Sequence, residues 1–172
     1  MRTLIFVYTH DLIQKAVKLE TSLLAERRDV MAKEGEVVSN FETLVMDEEY
    51  DILFRRLFLQ AHAEFLSKIP SRYLRETPTD LSPIFREFPD FRRDRDFNLF
   101  LAVSDDFPMQ YKKSIDIKIE QFLIDYICWR WFETKLPREA TTYFARIDKT
   151  VDEVKDLLSA SVKPIKRMPS FP

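Results

Sequence analysis

Two stretches in the carboxyl-terminal half decide the fold: KIEQFLIDYICWRWF at residues 118–132 and YFARIDKTVDEVKDLL at residues 143–158. In the second stretch, apolar residues recur at steps of three and four, which is the period of one buried face of an α-helix. The first stretch is apolar on nearly every side, as is typical of a helix at the centre of a core. Residues 134–137 form a short link, and Pro137 suits the first turn of the following helix. Because such short links make neighbouring helices antiparallel, we expect a central helical hairpin.

Two further helices are predicted upstream. Residues 11–32 have helical apolar spacing, which predicts one buried face. The residues assigned to that face are Ile13, Val17, Leu24 and Met31, with Ala16 and Leu23 beside them. A second helix is expected over residues 50–67, because three acidic residues just before it would complement the positive end of its dipole. Ser114 and Asp116 are expected to open the helix that contains residues 118–132.

Short strands are predicted where β-branched and aromatic residues cluster, at Arg2–Tyr8 and Phe97–Val103. Thr9 follows the first of these strands and is expected to cap the first helix. Residues 36–45 fit either another short strand or an extended linker, and the apolar pattern alone does not separate the two.

These elements predict a mainly α protein: a helical bundle of about four helices with a central antiparallel hairpin, plus a few short β-strands and extended arms. A chain of 172 residues with 45% apolar residues can bury one core. We therefore expect a single helical domain over residues 1–160, with a long proline-punctuated loop or arm at about 71–112. Residues 161–172 are expected to form an extended C-terminal tail.

The composition argues against catalysis. Gly35 is the only glycine, whereas phosphate-cradling loops and nucleophile elbows need several. His10 and His62 have no metal-binding partner at ligand spacing, so core or surface roles are expected for both. Cys128, the single cysteine, lies in the aromatic helical stretch and is expected to be a buried hydrophobe. We predict no catalytic, cofactor-binding or metal-binding residue and no enzyme activity; a pair of carboxylates distant in sequence remains an open alternative.

Charge and hydropathy also limit the partners. The net charge of -2 gives no general attraction to nucleic acid, and within residues 86–97 the basic residues are matched by acidic ones. No specific nucleic-acid contact is expected. An apolar start that is broken by His10 and Asp11 argues against a secretory signal, and no membrane span or membrane partner is expected.

A cluster of large aromatic residues lies near the end of the third predicted helix. Its members are Tyr126, Trp129, Trp131 and Phe132. Such residues on a central helix usually belong to a core rather than to a ligand pocket. Because they cover more than one helical face, we expect part of the cluster to meet another element or a neighbouring subunit.

The C-terminal tail differs from the rest of the chain in being basic and rich in proline. The residues expected to make an interaction arm are Lys163, Ile165, Lys166, Arg167, Met168 and Phe171. Proline fixes φ and removes N–H donors, so the segment favours an extended conformation that could dock on a neighbouring subunit. The alternative is an ordinary frayed terminus.

A helical core, a proline-punctuated arm, the KIEQFLIDYICWRWF and YFARIDKTVDEVKDLL pair and an extended basic tail follow one another along the chain. This order resembles the small head-to-tail connector (neck) and tail-completion proteins of tailed bacteriophages and prophages. The similarity lies mainly in residues 114–172 and consists of patterns of size and polarity, so it transfers no residue-level role.

The resemblance implies a structural subunit of a phage or phage-like particle. Such a subunit forms part of a neck or tail-completion ring, as a homo-oligomer that contacts copies of itself and neighbouring structural proteins. It implies no cofactor, and a location in the virion or the host cytoplasm. The alternative is a cellular helical adaptor or regulator that binds one protein partner.

Overall fold

The computed structural model describes residues 1–33, 44–77, 79–89, 92 and 95–160, with only the backbone described at 29–33. Its helices and strands in chain order are β1 (Arg2–Tyr8), α1 (His10–Lys33), α2 (Asp51–Lys68), α3 (Ser82–Glu87), β2 (Phe97–Val103), α4 (Tyr111–Phe132) and α5 (Pro137–Ser159). Two 3-10 turns, Glu48–Tyr50 and Ser71–Tyr73, precede and follow α2. The fold is mainly α with one small sheet, which confirms the predicted class.

The last two helices, α4 and α5, form the antiparallel hairpin that the sequence predicts. Near the link, the ring of Phe132 stacks on the ring of Tyr143, with 5.8 Å between centroids. Far from the link, Lys118 of α4 forms an ion pair with Glu153 of α5. The end of α4 thus lies beside the start of α5, and the start of α4 lies beside a later part of α5, so the two helices run antiparallel. Pro137 occupies the first turn of α5, as expected.

Helix α4 lies at the centre of the molecule and packs against α1, α2, α5 and β1. Its buried residues are Ile115, Ile119, Phe122, Leu123, Asp125, Tyr126, Ile127, Cys128, Trp131 and Phe132. The predicted start at Ser114 and Asp116 is wrong, because the helix begins at Tyr111. The Tyr111 N–H donates to the Pro108 carbonyl at 2.9 Å, so a turn after this proline already leads into the helix.

The two strands pair antiparallel, with Leu4 opposite Leu101 and Phe6 opposite Leu99. These four side chains face the helical core, because alternate residues of a strand share one face. On the opposite face, Ile84 of α3 forms a second apolar cluster with the β2 residue Phe100. A two-stranded sheet is marginal alone, so cover on both faces holds it in place.

The upstream elements largely follow the prediction. Both strands have the expected bounds, and the Thr9 Oγ1 accepts a hydrogen bond from the Leu12 N–H at 3.3 Å, as a helix cap does. Asp47 caps the short 3-10 turn that leads into α2. The alternatives for residues 36–45 fall mostly on residues 34–43, which lie outside the described part of the chain.

The described part of the expected arm at 71–112 lies against the sheet. Leu74 forms an isolated β-bridge with Leu101, and the Arg75 N–H donates to the Phe100 carbonyl at 2.9 Å. The short helix α3 and strand β2 belong to the same stretch. Among the described residues, no helix is long and apolar enough to cross a membrane.

Ile147 of α5 is 2% exposed and lies on the face that packs against α4. Replacing Ile147 by Asp should lower the free energy of unfolding by about 3 to 5 kcal/mol, because the charge would be buried without a partner. Urea denaturation followed by circular dichroism measures this loss. Ala145→Asp, at an exposed position on the same helix, is the control and should be nearly neutral. An Ile147→Asp variant as stable as the control would contradict the packing described for the hairpin.

Candidate interaction surface

Helix α1 exposes apolar side chains on the face opposite its core contacts. Leu12, Leu19 and Leu23 are 51%, 62% and 42% exposed, and Ala16 lies between them. The steps between these four residues are four, three and four. This is the heptad spacing of a helix that packs along another helix. We call Leu12, Ala16, Leu19 and Leu23 the α1 stripe.

The other face of α1 supplies core residues that are fully buried. Ile13, Val17, Thr21 and Ala25 are each 0% exposed. The helix is therefore apolar on two sides, although a surface helix of a monomer normally has a polar outer face. Leu23 and Ala16 were predicted to lie beside the buried face, and this is wrong for Leu23, which is 42% exposed. Two interleaved heptad stripes in the sequence were the signal that could have separated the two faces.

A second apolar surface lies where α4 ends and α5 begins. Trp129 is partly buried and packs on Phe144 with 4.9 Å between ring centroids, and Phe144 is 48% exposed. These rings, with Pro137, Ala140 and neighbouring polar residues, line a shallow depression of about 260 Å³. We call this depression the Trp129 groove.

The other aromatic residues near the end of α4 are core residues. Trp131 is 4% exposed and its indole N–H donates to the Leu44 carbonyl at 2.7 Å, which fastens the chain after α1 to α4. Phe132 is fully buried and Tyr126 is 9% exposed. The core interpretation is therefore confirmed for these three, and Trp129 alone of the predicted cluster reaches the surface groove.

A buried polar cluster joins α1, α4 and α5. Asp125 is fully buried, and its Oδ1 forms an ion pair with Arg146 at 3.0 Å and accepts a hydrogen bond from Gln121 at 3.1 Å. Its Oδ2 is buried without a hydrogen-bond partner among the described residues. On the α1 side, Glu20 accepts a hydrogen bond from the Tyr143 hydroxyl at 3.1 Å.

Burial raises the pKa of Asp125 to about 6, and the neighbouring Arg146 guanidinium and Gln121 amide limit the rise. Burial also raises the pKa of the Tyr143 hydroxyl well above its ordinary value. A carboxyl with a raised pKa can serve as a general acid or base, but only where a substrate reaches it. The Asp125 side chain has no exposed surface in this structure.

The two histidines and the cysteine pack against apolar residues, and the His10 ring also lies 3.2 Å from an Asp11 carboxylate oxygen and 3.5 Å from one of Asp51. His10 is 3% exposed and meets the ring of Phe54 edge-on at 5.0 Å. His62 lies over the ring of Phe97 at 4.0 Å, and burial lowers its pKa. Cys128 is fully buried, and burial raises its thiol pKa well above the ordinary value. Within the described ranges, no three or more His, Cys, Asp or Glu side chains are grouped to hold a metal ion.

The predicted charge balance of residues 86–97 can be followed only at its described positions. There, Arg95 forms an ion pair with Asp11 at 3.0 Å, and Asp96 accepts a hydrogen bond from the His10 N–H at 3.2 Å. The predicted interaction arm lies wholly at 161–172, outside the described residues. The prediction for Lys163, Ile165, Lys166, Arg167, Met168 and Phe171 therefore stays a prediction.

The raised pKa of Asp125 makes stability depend on pH. The folded chain holds this proton more tightly than the unfolded chain, where the pKa is near 3.8, so the contribution of Asp125 to stability grows as the pH falls through 6. Between pH 7.5 and pH 5 the wild type should gain about 1 kcal/mol relative to Asp125→Asn. Urea denaturation of both proteins at the two pH values measures the difference, and equal pH profiles would contradict the burial assigned to this carboxyl.

Comparison with known proteins gave no match: the chain matches no protein family, no curated protein and no solved structure.

Proposed function

We propose that this chain is a non-enzymatic structural subunit that assembles with copies of itself into a ring. The ring would be part of a neck, head-to-tail connector or tail-completion assembly of a phage or phage-like particle. The observation that carries the assembly is the α1 stripe, an exposed heptad row on a helix whose other side already fills the core. The setting in a phage particle rests on the resemblance of residues 114–172 alone.

A ring needs two different surfaces on each subunit, because identical patches that pair with each other close into a dimer. The α1 stripe lies on the exposed face of one helix, and the Trp129 groove is a depression on two other helices, α4 and α5. Docking of the stripe of one subunit into the groove of the next would bury Leu19 and Leu23 against Trp129 and Phe144. Exposed charged residues flank the stripe, including Lys15 and Arg27, and would form the polar rim usual for an interface.

Single contacts of this kind are weak. Burying a half-exposed leucine contributes about 1 kcal/mol, and the stripe offers three. The loss of translational and rotational entropy when two proteins associate costs at least about 4 kcal/mol. One such contact is therefore barely enough to hold two subunits together. A closed ring gives every subunit two contacts and links them by avidity. A closed ring is therefore expected to be more stable than an isolated pair of subunits.

Charged substitutions on the two surfaces test the assembly directly. Leu19→Glu with Leu23→Glu should reduce the wild-type oligomer to a monomer, and so should Phe144→Glu, as measured by sedimentation velocity. Because all three residues are exposed, the melting temperature should change little. Ile117→Glu, at a 54%-exposed position of α4, is the control and should assemble like the wild type.

Mixing the two defective proteins sharpens the test. A stripe-defective subunit keeps its groove, and a Phe144→Glu subunit keeps its stripe, so a mixture retains one intact contact and should form no rings. Because a single contact is marginal, heterodimers should appear only at high protein concentration. If Phe144→Glu assembles as the wild type does, the stripe pairs with something other than the Trp129 groove. A wild type that remains monomeric at all concentrations would contradict self-assembly altogether.

The proposal also predicts no hydrolytic or transferase turnover. General ester, phosphoester and glycoside substrates should be left unchanged by the wild type, with and without divalent metal ions. Asp125, whose pKa burial raises to about 6, and the neighbouring Glu20 are the carboxylates to test as an acid–base pair. A reproducible turnover that Asp125→Asn abolishes, while the variant stays folded, would overturn the non-enzymatic assignment.

A further inference from the structure

A second depression, of about 330 Å³, lies beside the Trp129 groove. Helix α2 forms one wall with Leu53 and Arg56, and the end of α4 and the link to α5 form the other, which includes Lys135. We call it the Lys135 depression. Glu133 lines both this depression and the Trp129 groove, so the two make one continuous surface.

Basic residues outnumber acidic ones in the lining of the Lys135 depression. Arg56, Arg130 and Lys135 are basic, and Glu133 is the one carboxylate among the described residues of the lining. Glu133 forms an ion pair with Arg130 at 2.6 Å. The lining therefore has an excess of positive charge, which complements an acidic occupant.

The ammonium group of Lys135 is held against two aromatic rings. It lies 3.1 Å from the centroid of the Trp131 ring and 5.3 Å from the centroid of the Tyr50 ring. The electron-rich faces of such rings attract a cation and limit its movement. Burial lowers the pKa of Lys135, because the ammonium is partly withdrawn from water. A carboxylate brought beside it would replace the stabilisation that water no longer supplies.

The row of the α1 stripe continues into an acidic residue. Glu26 follows Leu23 by three residues, so it extends the steps of four, three and four by another three. Its side chain is exposed and forms no ion pair with another described residue. Arg27, the next residue, points about 100° away around the helix. At the opposite end of the stripe, Asp11 is already paired with Arg95. The stripe therefore offers the carboxylate of Glu26 to a neighbour.

The lengths of the two surfaces agree. Phe144 and Pro137 both line the groove and are seven residues apart on α5, and Leu19 and Glu26 are seven residues apart on α1. Each span is about 10 Å long, at 1.5 Å per residue. When Leu19 of a neighbour packs on Phe144 in an antiparallel arrangement, its Glu26 arrives at the Pro137 end of the groove. Glu133, which leads into the second depression, lies at this end.

We propose that Glu26 of one subunit enters the Lys135 depression of the next subunit and pairs there with Lys135 and Arg56. The inference rests on the proposed function, because it places the α1 stripe in the Trp129 groove. A stripe that is apolar throughout fits a groove in either direction. The charge pair selects one direction and one register, with α1 of the neighbour antiparallel to α5. Every subunit is then added with the same rotation, which a closed ring requires.

Reversal of the charges tests the pair. Glu26→Lys should raise the protein concentration at half assembly by about fivefold or more, because a third cation would face Lys135 and Arg56. Lys135→Glu should also raise it, because two carboxylates would then meet. The double variant restores an opposite-charge pair at every contact and should recover most of the loss. Sedimentation velocity over a concentration series at low salt, where exposed charges are least screened, measures these proteins.

A charge reversal outside the two surfaces is the control. Lys149→Glu, at a 77%-exposed position of α5, should assemble like the wild type. A double variant that assembles no better than the weaker of the two single variants would show that Glu26 and Lys135 do not meet.

Disulfide trapping shows which end of α1 lies at the depression. One full-length protein carries Glu26→Cys, and a second, with a larger tag, carries Thr134→Cys in the exposed part of the lining. The native Cys128 is fully buried and should not react. Mild oxidation of the mixture should give a covalent heterodimer of the summed mass. Lys15→Cys, at an exposed position near the other end of the stripe, replaces Glu26→Cys as the control and should not crosslink above background.

The outcomes separate this inference from the proposed function. A crosslink from Lys15→Cys in place of Glu26→Cys would mean that α1 lies in the opposite direction, and the pairing of Glu26 would be wrong. If no crosslink forms and the charge reversals change nothing, although sedimentation shows the wild-type oligomer, the Glu26 contact is wrong and assembly stands. A wild type that stays monomeric, with no crosslink from either cysteine pair, would remove the proposed function as well.

Discussion

The burial of α4 on nearly every side constrains the rest of the structure. A helix that carries Phe122, Leu123 and Cys128 on different faces cannot leave one of these faces in water without a large loss of hydrophobic free energy. The short link to α5 supplies one neighbour, and α1, α2 and the sheet supply the others. The two-stranded sheet persists because α4 and α2 cover one face and α3 the other.

Some apolar side chains of α1 and α4 are not buried in the core around α4 and stay exposed to solvent. Helix α1 contributes Ile13 and Val17 inward and still presents Leu19 and Leu23 to solvent. Trp129 reaches the surface from a helix that is otherwise buried. Contiguous exposed apolar surface of this kind usually marks a contact with another protein. The buried Asp125 cluster fixes α1, α4 and α5 relative to each other and thereby fixes the spacing of the α1 stripe and the Trp129 groove.

The helices and strands with a clear apolar period could be predicted from the sequence, whereas the contacts between them could not. Both strands and the hairpin followed from local pattern, because Arg2–Tyr8, Phe97–Val103 and residues 118–158 have clear periods. The start of α4 was missed because backbone hydrogen bonds after Pro108 open the helix, and these leave little trace in residue type. The outward stripe of α1 was missed because two apolar faces of one helix overlap in sequence. The Asp125 cluster joins residues that are distant in sequence, and local sequence patterns do not show that such residues lie close together in the fold.

The central claim is that copies of this chain close into a ring. Electron microscopy of the purified full-length protein at micromolar concentration, in negative stain, tests it most directly. The account predicts closed annular particles with a single rotational symmetry that disappear in the Leu19→Glu, Leu23→Glu protein. Fields that contain only single subunits or two-fold dimers, at every concentration at which the protein stays in solution, would contradict it.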